Sequence, residues 1–139
     1  MKRKIMLLLS LAAGLLAACS GASSNQPVEI TLDVNSMIYQ PSTIEVVAGQ
    51  PVKLTFRNND VVDHDFSIME IPMTGMTESD EPMAGHEMAT EPELHMAVMM
   101  GQTGTIQFTP TTPGTYEFLC TFAGHKEAGM VGTLIVKSP

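Results

Sequence analysis

The chain is short of cysteine, of positive charge and of helical periodicity, and each shortage removes a class of protein. Its 139 residues include two cysteines, Cys19 and Cys120. Two cannot build the disulfide framework of a small exported scaffold, and a fold of about 110 residues can bury a core without one. Lysine and arginine total 7 against 15 acids, a formal charge of −8. A surface this acidic excludes nucleic acid as a partner and suits a basic protein surface, drawn in by long-range attraction. No nucleophile–base constellation and no phosphate-cradling loop occurs. The chain is therefore not expected to be an enzyme or to have a small-molecule substrate. Its longest apolar run, Ile5 to Ala18, is too short to span a bilayer comfortably.

That run has a use at the N-terminus. Lys2, Arg3 and Lys4 precede it, the pattern of a signal peptide over residues 1–18. The run ends Leu16-Ala17-Ala18-Cys19, which resembles a bacterial lipobox. The resemblance implies that Cys19 is lipidated and becomes the mature N-terminus; an ordinary secretory cut near Ala18 is the competing reading. Residues 19–27 then form a flexible, lipid-anchored linker, and the expected location is a cell membrane, facing the periplasm or the cell exterior. Loss of three cations takes the charge from −8 to −11. Cys120 is left without an intramolecular partner, so its thiol needs an explanation of its own.

From Val28 onward the sequence reads as short strands separated by turn residues, within one domain over residues 28–139. Val28–Val34, Val52–Asn58 and His64–Ile71 alternate apolar and polar side chains, as half-buried strands do. Ile44–Val47, Gly104–Phe108, Gly114–Leu119 and Val131–Val136 are further strands, divided by Gly49, Pro51, Pro110 and Pro113. Seven or more such strands predict an all-β sandwich. The stretch from Pro72 to Glu93 breaks the pattern. It holds Pro72, Pro82 and Pro92, six acids, His86, and Met73, Met76, Met83 and Met88. The prolines forbid a long helix, although a turn or two could form near residues 84–90. The stretch reads as an irregular, mobile, Met-rich acidic flap.

Near the C-terminus, Cys120, His125 and Met130 follow one another at five-residue intervals in CTFAGHKEAGMVGTL. A thiolate, two imidazoles and a long axial thioether make a mononuclear copper electron-transfer site. One loop here offers three of those donors, with Gly124 and Gly129 to let the backbone turn beside an ion. The second imidazole has three candidates: His64, His86 and His95. His64, at a strand start in Asp63-His64-Asp65-Phe66, is preferred; His95 lies in the strand-like Leu94-His95-Met96-Ala97 and His86 in the flap.

With these residues the chain resembles the cupredoxins, the small blue-copper family that includes plastocyanin, azurin and auracyanin. The likeness runs through Pro41-Ser42-Thr43-Ile44, Ala48-Gly49-Gln50-Pro51-Val52, Asp63-His64-Asp65-Phe66 and Pro113-Gly114-Thr115-Tyr116-Glu117-Phe118 into the Cys120–His125 loop. The four residues before Met130 make the loop most similar to that of auracyanin. The resemblance implies a Greek-key sandwich with one copper ion per chain, held by His64, Cys120, His125 and Met130. It also implies a monomer that passes electrons through the exposed edge of His125 to redox proteins such as cytochromes or an oxidase. Where many of the family have asparagine after the first histidine, this chain has Asp65. A carboxylate there would favour the more positive copper, although an acid at a strand end is ordinarily solvated.

Plainer readings compete. A free cysteine is often just a buried apolar thiol, methionine an ordinary gap-filler, and an acidic run a solvated face. The methionines between Met69 and Met100, with His86 and His95, also offer soft ligands for reduced copper. They frame a second function: copper storage or delivery through the flap.

Overall fold

The computed structural model describes residues 26–79, 88 and 90–139. The expected signal peptide, Cys19 and most of the expected linker lie outside the described residues, as do His86, Met83 and most of the expected flap.

Ten strands and no helix make up the described residues: β1 (Val28–Asn35), β2 (Ile38–Gln40), β3 (Thr43–Val47), β4 (Val52–Asn58), β5 (His64–Ile68), β6 (Met73–Ser79), β7 (Leu94–Val98), β8 (Thr103–Pro110), β9 (Gly114–Leu119) and β10 (Val131–Lys137). They form two five-stranded sheets, ordered β2-β1-β4-β8-β6 and β3-β10-β9-β5-β7. The two parallel pairings, β1 with β4 and β3 with β10, arise because the chain crosses between sheets rather than folding back as a hairpin. The expected all-β sandwich is therefore the observed fold.

The period-two pattern sets the layers. On β4, Val52, Leu54 and Phe56 are buried while Lys53, Thr55 and Arg57 lie on the other face. Ile106 and Phe108 of β8 join them from one sheet; Phe66, Ile68, Phe118, Leu134 and Val136 face them from the other. At the centre the Phe118 ring lies 5.1 Å from Tyr39, edge to face, and 5.2 Å from Phe66. The Tyr39 hydroxyl, buried with its ring, donates to the Asp65 carbonyl at 2.5 Å and so joins β2 to β5 across the sandwich.

Two elements differ from the sequence reading. Ile38–Gln40 is a three-residue strand where none was expected. The first part of the expected irregular insertion, Met73–Ser79, is an edge strand paired with β8. Its register shifts between Thr74 and Thr77, with Gly75 at φ 65°. That bulge lets a segment flanked by Pro72 and Pro82 keep its pairing.

Strand β5 is unusual in being buried along both faces. His64, Phe66 and Ile68 face the core, and Asp65 and Ser67 point outward yet are fully covered. Asp65 is thus not the solvated strand-end acid that its position suggested.

Candidate metal centre

The chain gathers its candidate ligands at one end of the sandwich. His64 opens β5 with its side chain turned inward and 0 % exposed. Its Nε2 donates to Asp60 Oδ2 at 2.9 Å. Asp60 also accepts the Ser36 and Met37 backbone N–H groups at 2.7 and 2.8 Å. A carboxylate on the far nitrogen fixes both the tautomer and the ring plane, so Nδ1 presents its lone pair to the centre. Burial works against the charge on Asp60, but the two backbone donors and His64 outweigh it and hold its carboxyl below the usual range.

Cys120, His125 and Met130 come from the loop between β9 and β10. Cys120 N donates to the Met130 carbonyl at 3.2 Å, and Met130 N to the His125 carbonyl at 3.0 Å. The turn inside is closed by His125 N to Phe122 O and Ala128 N to Gly124 O, both 3.0 Å. Gly124 and Gly129 adopt φ 83° and 98°, the left-handed region open to glycine. The loop therefore brings His125 back over Cys120. The His125 Nδ1 lies 3.3 Å from Cys120 Sγ and 3.2 Å from His64 Nδ1, and Sγ lies 3.9 Å from His64 Nδ1. The three donor atoms all fall within 4.8 Å of one another. Met130 is 0 % exposed and belongs to the same core cluster as Cys120. His125 is half-buried, among exposed Ala123, Gly124, Ala128 and Gly129.

The donors fit copper. Two imidazole nitrogens and one sulfur converge where water is scarce, the set that suits this metal. Burial, reinforced by the nearby Asp65 charge, pushes the Cys120 thiol up to about 12. A thiolate at this position therefore needs a cation beside it.

Asp65 lies behind the sulfur. Its Oδ1 accepts Thr121 N at 2.7 Å, its Oδ2 accepts the Thr121 hydroxyl, and His95 Nε2 is 3.5 Å from Oδ2. Burial works against the carboxylate, but the His95 and Thr121 bonds prevail and keep its pKa below the usual range. The carboxylate thus clamps the residue after Cys120 to β5. His95, one of the three imidazole candidates, stands on this outer face and not with the three converging donors; His86 lies outside the described residues. In the sequence Asp60 reads only as the end of the Asn58-Asn59-Asp60 turn, although an acid four residues before His64 is also a signal for a ring partner.

The family model for a cupredoxin-like domain matches residues 6–136. The copper-resistant cuproprotein CopI of Rubrivivax gelatinosus is 31% identical over 122 residues, covering 84% of this chain and 69% of that protein. A minor plastocyanin isoform of Arabidopsis thaliana is 31% identical over 131 residues, covering 89% and 69%. Among solved structures, auracyanin A, a "blue" copper protein of Chloroflexus aurantiacus, superposes with a TM-score of 0.61 at 23% identity, covering 81% of this chain and all of that one. At that identity the likeness is one of fold.

Proposed function

Because the chain belongs to the cupredoxin-like family, whose members bind copper and are mainly electron carriers rather than enzymes, we propose that it is a mononuclear blue-copper electron-transfer protein tethered to a membrane. The convergence of His64 Nδ1, Cys120 Sγ and His125 Nδ1 within 4.8 Å carries this reading. We assign His64, Cys120, His125 and Met130 as the residues that would hold the copper. Bound copper would supply a one-electron couple.

The protein's own groups do the rest. Asp60 holds the His64 ring, and the backbone bonds of Cys120 and Met130 hold the loop. The donors are thus nearly preformed, which keeps rearrangement on electron transfer small. His64 and Cys120 are sealed from water, while half-buried His125 is ringed by small exposed residues. A partner can approach that ring edge closely, and a basic face on a cytochrome or oxidase would be drawn to the acidic chain. Lipid on Cys19 would keep the carrier at the membrane, with residues 19–27 setting its reach. We expect a monomer facing the periplasm or cell exterior.

The test is a visible and paramagnetic resonance spectrum of the copper-loaded protein. An intense thiolate-to-copper band that disappears in Cys120→Ser is the expected result. A folded, copper-treated protein without colour overturns the proposal.

A second reading, copper storage or delivery, is favoured by the copper-resistance name of the CopI relative and by Met88, whose thioether rests on Thr121. Rapid reversible reduction of a single tightly held copper would count against it.

A further inference from the structure

Strand β9 must leave β5 for Cys120 to reach the metal end of the sandwich. The two strands pair at Ser67 and Leu119. Carried two residues further, the same register would set Thr121 opposite Asp65. The chain turns away instead, and side chains take over from the ladder. Thr121 N donates to Asp65 Oδ1 at 2.7 Å, and the Asp65 main-chain carbonyl accepts the Tyr39 hydroxyl at 2.5 Å. Burial raises the Cys120 thiol, and the backbone N–H groups of Asp65 and Phe122, bonded to its sulfur, act against that rise. The backbone of Asp65 thus offers its N–H to a candidate ligand and its carbonyl to a tyrosine of the opposite sheet.

We propose that Tyr39 is a positioning residue of the metal centre: its hydroxyl holds the Asp65 backbone from across the core, so that the Asp65 N–H stays aimed at the Cys120 sulfur. Tyr39 is fitted to that task. It is 1% exposed, and a hydrogen bond counts for more in so dry a place than at the surface. Burial, then the nearby Cys120 and Asp65 charges, push the phenol well above its usual range, which keeps it a neutral donor. Its ring is set by Phe118, edge-on at 5.1 Å, and by Phe56 at 6.2 Å. Phe118 stands two residues before Cys120. One side chain on β2 therefore touches both strands that carry the centre, β9 through its ring and β5 through its hydroxyl. An N–H bonded to a thiolate draws charge from the sulfur. If that N–H lost its aim, the sulfur would become a stronger donor and the thiolate-to-copper spectrum would change. The inference rests on the copper reading for its effect at the metal, and on the backbone bonds alone for the positioning.

The test compares Tyr39→Phe with Tyr116→Phe in the full-length protein. Each removes one hydroxyl that donates to a main-chain carbonyl, that of Asp65 in the first case and of Thr112 in the second, and each keeps its ring. In copper-free protein, amide hydrogen exchange at Asp65 is measured against Ile68 on the same strand. It should quicken by about tenfold in Tyr39→Phe, the scale of one buried hydrogen bond, and stay as in wild type in Tyr116→Phe. In copper-loaded protein, Tyr39→Phe should shift the charge-transfer band and weaken cupric affinity by about tenfold, the low end for an outer partner. Tyr116→Phe should do neither. Unchanged exchange at Asp65 overturns the proposal. So does a change of band and affinity that the two variants share, since overall stability then explains it. Faster exchange with a wild-type band and affinity reduces the bond to a structural one and overturns the proposal as well. A wild type that folds but takes up no copper defeats the electron-carrier reading instead, and exchange at Asp65 then decides whether Tyr39 positions this backbone.

Discussion

Replacing Asp60 by alanine should loosen the metal centre without touching a ligand. Its carboxylate accepts three donors: Ser36 N at 2.7 Å, Met37 N at 2.8 Å and His64 Nε2 at 2.9 Å. Ser36 and Met37 sit at φ 54° and 61°, a left-handed turn that costs side-chain-bearing residues roughly 1–2 kcal/mol each. A hydrogen bond to a charged group is worth about 1.5–3 kcal/mol, less where water can replace it, as at exposed Ser36. Counting the Met37 and His64 bonds near the low end and Ser36 as small, D60A should cost about 3 kcal/mol of stability. For a domain of this size that is a fall in Tm of about 12 °C. The effect on the site is separate. Without Asp60 the His64 ring loses its fixed tautomer and plane, and copper affinity should fall by about 10- to 100-fold. Chelator competition measures the affinity, and thermal unfolding of the copper-free protein measures the stability. D60N keeps an acceptor oxygen and should fall between wild type and D60A on both. If D60A binds copper within about twofold of wild type, with an unchanged spectrum, the carboxylate does not orient His64 and the reasoning fails.

A methyl group at Gly132 would stand 2.1 Å from Phe118 Cζ and 2.8 Å from the Ser42 carbonyl oxygen, so Gly132→Ala should destabilise by about 2–3 kcal/mol, and a denaturation midpoint equal to wild type would refute that packing. Asp65 has a lowered folded pKa, so its stabilising contribution is complete above the usual carboxylate range and lost as pH falls through the folded value. The stability advantage of wild type over Asp65→Asn should therefore be constant near neutral pH and shrink as pH falls below about 5, and an advantage that grows on acidification would contradict it. The Cys120 thiol, raised to about 12, is protonated at neutral pH and must ionise to bind metal. Loading at about pH 8 should thus release about one proton per copper from this residue, and Cys120→Ser should release about one fewer. An indicator dye reads the difference, and equal release would show that the thiol is not a ligand.

The alternating strands were legible because one face of each is dry. Val52–Asn58 and Gly114–Leu119 form at the residues their patterns marked. The ligand loop was legible because thiol, imidazole and thioether at regular intervals have few other uses. Strand β6 was not, because Met73–Ser79 is held by partners on β8 some thirty residues later and its local sequence, with Gly75 and two flanking prolines, argues for a loop. The burial of Asp65 was hidden for a similar reason. Nothing around it announces that Thr121 and His95, distant in the chain, will satisfy its oxygens. Asp60 shows the reverse case, a signal present in the turn but weak, since an acid in a turn is usually there for the turn alone.

The bond from Cys120 N to the Met130 carbonyl makes the two ends of the ligand loop neighbours whatever lies between them. The segment is in effect a cassette clipped onto the end of a finished sandwich. Its contents can be exchanged for longer or shorter versions without asking the strands to re-form. An ancestral scaffold could thus be inherited intact while its descendants diversified the grip on the ion.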